Sequence, residues 1–261
     1  MIKNITAPLS IGQASANYTL KGASGFGSAN VEVVKWNRPG FHGVKTPKSF
    51  WRERALRLII GVRADSSATY ETKRRDLEAS FDTPHNGLTL LQFVTQGGLA
   101  LQSYFQLSAP IQAPFNPGEV TIGNFRIELV AEDPVLYSQT ETTTEITFTA
   151  GSGTVTNGGN SPVYPTVRIY GEVTNPGLVN TTLGLTLSFS GLTIAAGHYI
   201  EIDMLNETIK YDGSTNYYSY VNSDDFSWLK VGANAITVSG TVGSSGDRLV
   251  RFYHHNGYIG I

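Results

Sequence analysis

The residues equipped for chemistry are few and scattered. His254 and His255 are adjacent, and neighbouring side chains on a strand point to opposite faces, so their rings cannot ligate one metal. His42, His85 and His198 stand apart from them and from one another. Glu201 and Asp203 share one strand face by their spacing and Asp224-Asp225 follow later, the raw material of a paired-carboxylate glycosidase and also a commonplace of proteins this size. Gly25-Phe26-Gly27 looks like the start of a dinucleotide loop. The third glycine is missing, however, and a strand pattern follows, so phosphates would find no helix N-terminus and the segment reads as a turn. No Walker-type phosphate loop, HExxH pair or GxSxG elbow occurs. Without cysteine, disulfides, zinc knuckles and thiol catalysis are excluded. The expectation is a protein with no catalytic, cofactor or metal site.

Two other groupings stand out. Tyr211, Tyr217, Tyr218 and Tyr220 surround an expected hairpin, with Trp228 close behind. Aromatic faces beside Asn and Asp suit sugar recognition, which makes Tyr217, Tyr218 and Trp228 candidate glycan contacts, while cross-strand or core packing is the plainer reading. The second grouping is basic. Lys35, Arg38, Lys45, Lys48, Arg52, Arg54, Arg57, Arg63, Lys73, Arg74 and Arg75 are opposed within their stretch only by Glu53, Asp65 and Glu71, although the whole chain carries a net charge of -2. Lacking any nucleic-acid motif, that stretch reads as a solvated or subunit-contacting face.

The elements that must carry these groups are mostly strands. Val31 and Val33 alternate with Glu32; Leu56, Leu58, Ile60 and Val62 alternate with Arg57 and Arg63; Leu99, Leu101 and Phe105, then Phe125, Ile127 and Leu129, repeat the period of two. These runs predict half-buried antiparallel strands, with Gly123-Asn124 and Asp212-Gly213 as hairpin turns. Ser67 to Phe81 is different. It holds helix formers without Gly or Pro, a Ser or Thr for the N-cap, and Tyr70, Leu77 and Phe81 on one stripe, with Glu71 placed to meet Arg75 and Pro84 to end the helix.

After Asp133-Pro134 the sequence becomes rich in Thr, Gly, Ser and Asn, with only Ile146, Phe148 and Val155 as apolar punctuation. The chain of 261 residues therefore divides into a first domain over 1–151, a linker over 152–161 and a second domain over 162–261, whose many short strands predict a β-sandwich. No run is long enough to span a membrane and the first residues lack a signal-peptide core, so a soluble product without membrane insertion is expected. The Asn-x-Thr triplets at Asn4, Asn17, Asn180 and Asn206 are what a Thr-rich chain produces by chance.

Several of these segments resemble the distal tail proteins of long-tailed siphophages. Arg54 to Phe81 is similar to that family's strand-then-helix, with Tyr70-Glu71 and Lys73-Arg74-Arg75-x-Leu77. The run Phe125, Ile127, Leu129, Ala131, Asp133, Pro134 and Tyr137 resembles the strand that closes its N-terminal domain. Asn157-Gly158-Gly159, Tyr164-Pro165-Thr166-Val167, Ile169-x-Gly171 and Asn175-Pro176 with Asn180 are similar to the opening of its siphovirus-type tail component domain. Gly197-x-x-Ile200-x-Ile202-Asp203 and Trp228-Leu229-x-x-Gly232-x-Asn234-x-Ile236 resemble later parts of that domain.

The resemblance implies a mainly β fold: an N-terminal belt domain related to the tail-tube fold with one helix, then a galectin-like C-terminal β-sandwich. It further implies a structural protein of the virion tail tip, made in the host cytoplasm. Such a protein forms a homohexameric ring between the major tail tube protein and the tail hub or tip protein, with DNA only passing through and receptor-binding proteins carried outside. No long insertion interrupts the second domain, so no separate carbohydrate-binding module is expected. In that setting Arg54, Arg57, Arg63, Tyr70, Arg74 and Arg75 are the candidate subunit contacts. Two alternatives stay open: a host-glycan-binding sandwich using Tyr217, Tyr218 and Trp228, and a cell-wall glycosidase using Asp203 with Asp224 or Asp225.

Overall fold

The computed structural model describes residues 11, 17–40, 42, 44–82, 87–113 and 121–260. Its internal contacts divide the chain into unit 1, residues 1–136 with 259–261, and unit 2, residues 137–258.

Unit 1 contains β1 (Tyr18–Ser24), β2 (Val31–Asn37), β3 (Val44–Trp51), β4 (Arg54–Arg63), α1 (Ser67–Ser80), β5 (Thr89–Val94), β6 (Ala100–Leu107) and β7 (Ile122–Ala131). The main sheet runs β1-β4-β7-β6, with β5 on β6. Strands β4 and β7 pair antiparallel from Arg54↔Ala131 to Arg63↔Ile122. Their alternation decides what is buried: Leu56, Leu58, Ile60 and Val62 face inward with Phe125, Ile127 and Leu129, all buried. Helix α1 covers this face. Ser66 caps it by accepting from the Thr69 amide at 3.3 Å, and Tyr70, Leu77 and Phe81 form the buried stripe that the spacing predicts. Tyr70 lies 6.5 Å from Phe125, ring to ring. The expected stop at Pro84, like His85 and Asn4, falls outside the described residues.

The ribbon of β2 and β3 departs from this pattern. The two strands pair with each other and with no other described strand. Val31 is 51% exposed, Trp36 61%, Phe50 51% and Trp51 48%. The half-buried strand expected at Val31 and Val33 is thus an exposed one, because no described sheet or helix of unit 1 pairs with or buries the ribbon.

Unit 2 contains β8 (Leu136–Thr147, starting on the last residue of unit 1), β9 (Ser152–Asn157), β10 (Thr166–Tyr170), β11 (Val173–Asn180), β12 (Leu185–Phe189), β13 (Thr193–Ile194), β14 (Tyr199–Asp203), β15 (Thr208–Tyr211), β16 (Thr215–Asn216), β17 (Val221–Asp224), β18 (Gly232–Val242) and β19 (Leu249–Tyr258). One sheet has the order β8-β19-β10-β14-β15-β16 and the other β17-β12-β11-β18-β9, with β13 on β11. A core including Val167, Ile169, Leu187, Phe189, Ile200, Ile202, Ile236, Val250 and Phe252 lies within the unit. Asp212 and Gly213 have φ of 47° and 70° and turn β15 into β16, the hairpin their pairing predicts.

Two sequence expectations about connections are corrected. Residues 152–161 are not a free linker: β9 pairs with β18 from Gly232↔Asn157 to Thr237↔Ser152, and Val155 and Ile146 are buried. The boundary accordingly lies at 136/137, not near 151. Gly123-Asn124 is not a turn either, since both residues lie within β7, opposite Val62 and Gly61.

Candidate functional site

The carboxylates and imidazoles singled out for chemistry are occupied locally. Asp203 accepts from the amides of Leu205 and Asn206 at 3.0 Å each and so closes a turn. Glu201 pairs with Arg168, and Asp225 accepts from the Thr186 amide at 3.1 Å. His255 bonds the Ser138 carbonyl through Nδ1 at 2.8 Å, whereas His254 is buried and bonds the Thr156 carbonyl through Nε2 at 3.1 Å. Among the described residues no group of three or more His, Asp or Glu is placed to hold a metal ion.

His254 carries a pH consequence. Burial lowers its pKa below the ordinary 6.5, and its Nδ1 has no hydrogen-bond partner among the described residues. The unfolded chain therefore takes up this proton at a higher pH than the folded one. Stability is fully present above about pH 6.5 and falls as pH drops toward the depressed folded value, with a slope of up to about 1.4 kcal/mol per pH unit. Urea midpoints of unit 2 at pH 7.5 and 5.0 should diverge in the native protein and converge in His254→Gln. A difference that persists in the variant assigns the effect to other groups.

The expected aromatic glycan contacts separate. Tyr217 is half-buried against the unit 2 core and stacks between Tyr211 and Tyr220, at 4.8 and 5.2 Å between centroids. Tyr218 is exposed and lies 6.2 Å from Phe226. Trp228 is exposed on a segment held from beneath by three buried asparagines. Asn180 donates to the Trp228 carbonyl at 3.2 Å, Asn157 to that of Leu229 at 3.4 Å and Asn234 to that of Lys230 at 2.9 Å. Asn234 also accepts from the Lys230 amide and donates to Gly232 and Val155. The three side chains thereby tie the carbonyls of Trp228, Leu229 and Lys230 to buried positions of the sandwich.

The sequence reading passed over Tyr170, Tyr199 and Tyr253. Their rings enclose two arginines: the Arg168 guanidinium lies 4.9 Å from the Tyr199 centroid and 5.2 Å from that of Tyr253, and Arg251 lies 5.1 Å from that of Tyr170. Arg168 and Arg251 stand directly opposite each other, an unfavourable like-charge register that Glu201 and Glu145 offset on either side.

The basic candidates also separate, by parity along β4. Arg57 and Arg63 are out of phase with the core residues and exposed, Arg57 meeting Glu128 at 3.0 Å. Arg75 is exposed as well, and Glu71 pairs not with it but with Arg74 at 3.4 Å. Two candidates are corrected. Tyr70 is a core residue of α1 and presents no surface for a subunit contact. Arg54 is in phase with Leu56 and only 1% exposed. Its Nε donates to Pro134 O at 2.9 Å, Nη1 to Gly25 O at 2.8 Å and Gly27 O at 2.6 Å, and Nη2 to Ile259 O at 2.6 Å. Burial lowers its pKa and the nearby charge of Asp133 opposes that shift, yet a guanidinium stays protonated in proteins. Gly25-Phe26-Gly27 is an irregular connection that ends in a bend, with Gly25 at a φ of 100°. Its carbonyls converge on a cation, the reverse of a phosphate cradle, and a Cβ on Gly25 would lie 2.1 Å from the Ala55 carbonyl.

Residues 158–252 match the family model described as the siphovirus-type tail component, C-terminal domain. No curated protein sequence matches the chain. Among solved structures the fold is that of the Dit (gp 19.1) protein of phage SPP1, described as a paradigm of the hub adsorption apparatus in phages infecting Gram-positive hosts. The identity is 14% and the TM-score 0.68, over 92% of this chain and 93% of that one. The phage p2 baseplate in its activated conformation contains a similar chain. The calcium form gives 12% identity and a TM-score of 0.51 over 94% and 92% of the two chains; the strontium form gives 12% and 0.53 over 95% and 93%. The resemblance to distal tail proteins thus holds in the family match of the second unit and in the mostly β fold of the chain.

Proposed function

We propose that this chain is a structural protein of a phage tail tip or baseplate. In this reading it works by assembly, without catalytic turnover, as a homohexameric ring joining the tail tube to the central hub in the virion. Unit 1 supplies the ring. Unit 2, read as galectin-like, carries receptor-binding components. The observation that bears most weight is the β2–β3 ribbon: Val31, Trp36, Phe50 and Trp51 stand exposed on strands that nothing else in the described chain pairs with. Monomeric proteins seldom leave such surface in water. Each of the two tryptophans and the phenylalanine is already about half covered, so covering the rest is worth about 2–5 kcal/mol at roughly 1.5–3 kcal/mol per fully exposed large apolar side chain, and a closed ring repeats the gain at each contact. A neighbouring copy is the occupant that also meets the outer edge of β1, which pairs with no described strand besides β4. Arg57, Arg63, Arg74 and Arg75 remain the candidates to meet acidic groups on that neighbour or on the hub, setting register more than affinity.

Mass measurement in solution with negative-stain imaging tests the proposal. Rings with six-fold symmetry and a central hole are expected. The triple variant Trp36→Ser, Phe50→Ser, Trp51→Ser should be monomeric with an unaltered circular dichroism spectrum. A native chain that stays single at high concentration ends this reading.

One observation favours a second reading, glycan binding by unit 2. Trp228 is exposed on a pinned segment, and the isolated Val163↔Leu229 bridge is flanked by Tyr164, also exposed. Selective glycan-array binding lost in Trp228→Ala and Tyr218→Ala, and kept in the half-buried Tyr217→Phe, would establish it.

A further inference from the structure

Arg54 gathers three segments that are remote in sequence. Gly25 and Gly27 belong to the root of the β2–β3 ribbon, Pro134 precedes the point where the chain leaves unit 1, and Ile259 is where it returns. The other side of the ribbon root is held by the Arg52 amide, which donates to Asn30 O at 2.7 Å. Packing there leaves little slack: besides Gly25 against Ala55, a Cβ on Gly260 would lie 3.1 Å from the Ser28 amide nitrogen.

We infer that Arg54 is a coupling node, so that seating of the returning segment Ile259–Gly260 and anchoring of the ribbon root are one cooperative event. The guanidinium is a rigid planar fork whose donors keep fixed angles to one another. It cannot follow a moving ribbon root without turning away from Pro134 and Ile259. Its buried charge depends on those charge-assisted bonds, so losing one acceptor weakens its hold on the others. Close packing favours a switch between discrete arrangements over a gradual give. Linkage makes the effect reciprocal: whatever steadies the ribbon steadies the returning segment by the same factor, and the reverse. This holds whatever the ribbon meets. Where the ribbon docks on a second copy, as proposed above, docking is transmitted to the segment by which the chain re-enters unit 1.

Amide exchange followed by mass spectrometry tests the node directly, with ring formation scored separately so that failure of the assembly reading is distinguishable. In a chain ended at Tyr258, amides of residues 25–30 should exchange about tenfold faster, while β4 and β7 stay protected as the fold control. In an Arg54→Lys background the same truncation should add clearly less at the ribbon root, the remainder being the direct packing of Gly260 on Ser28. An unchanged ribbon root overturns the inference, as does an equal acceleration in both backgrounds, which would route the effect around Arg54. Should the shortened chain lose its β4 and β7 protection, full-length Arg54→Lys decides. Residues 25–30 and Ile259–Gly260 then accelerate together, and acceleration of one without the other overturns the inference.

Discussion

Replacement of Arg54 by methionine should lower the stability of unit 1 by about 2–4 kcal/mol, from four carbonyls that lose their donor. The side chain is 1% exposed and donates to four carbonyls. Methionine fills much of the volume but supplies no donor, so the oxygens of Gly25, Gly27, Pro134 and Ile259 lose their cation. The acceptors are only partly buried, so each costs about 1 kcal/mol when unmet, and escape from the desolvation of the charge returns part of that. Calorimetry should show the unit 1 transition about 10 °C lower, with that of unit 2 little changed. Arg54→Lys should recover only part of the loss, because an ammonium lacks the fork. A methionine variant as stable as the native protein would mean that water replaces the guanidinium, and the structural weight placed on Arg54 would be misplaced.

Asn234→Leu should cost unit 2 about 2–4 kcal/mol, from one unmet amide at Lys230 and unmet carbonyls at Val155, Lys230 and Gly232. The leucine matches in size and is apolar, so any loss reports hydrogen bonding and not a cavity. Gly232, with a φ of 85°, belongs to the same loop and has no Cβ to stiffen it once the amide side chain is gone. The segment carrying Trp228 should loosen with it. In a protein with Trp36 and Trp51 changed to Phe, acrylamide quenching of Trp228 should rise in the Asn234→Leu variant. Equal quenching with equal stability would show that Asn180 and Asn157 suffice to hold the segment.

Much of unit 1 was legible because its core strands obey a strict period. Leu56 to Val62 and Phe125 to Leu129 alternate cleanly, and the stripe of Tyr70, Leu77 and Phe81 fits only a helix. The same rule would have placed Arg54 inside, since it shares the parity of Leu56, but a basic residue in a basic stretch was assigned to the surface by its charge. The ribbon departs from its pattern for the opposite reason. Val31 and Val33 alternate as a half-buried strand does, yet large apolar residues also occupy the other parity at Val34 and in the adjacent pair Phe50-Trp51, a sign of a strand lacking a single buried face. In residues 152–157 Thr and Gly concealed β9. A strand whose outer face is threonine needs only Val155 pointing inward, too little periodicity to register. The asparagines at 157, 180 and 234 were noticed as parts of motifs, but their function depends on carbonyls distant in sequence, which no local pattern reveals.

The link between Arg54 and Ile259 spans 205 residues, and it sets a timetable for synthesis. At roughly 5–20 residues per second the ribosome needs about 10–40 s to make the second partner after the first. Until then the nascent first unit holds a cation short of one acceptor and cannot close. A polypeptide released early never satisfies it. Copies lacking residue 259 keep that bond unmade and stay open to proteases and chaperones, so the same arginine links closure of the first unit to synthesis of the second.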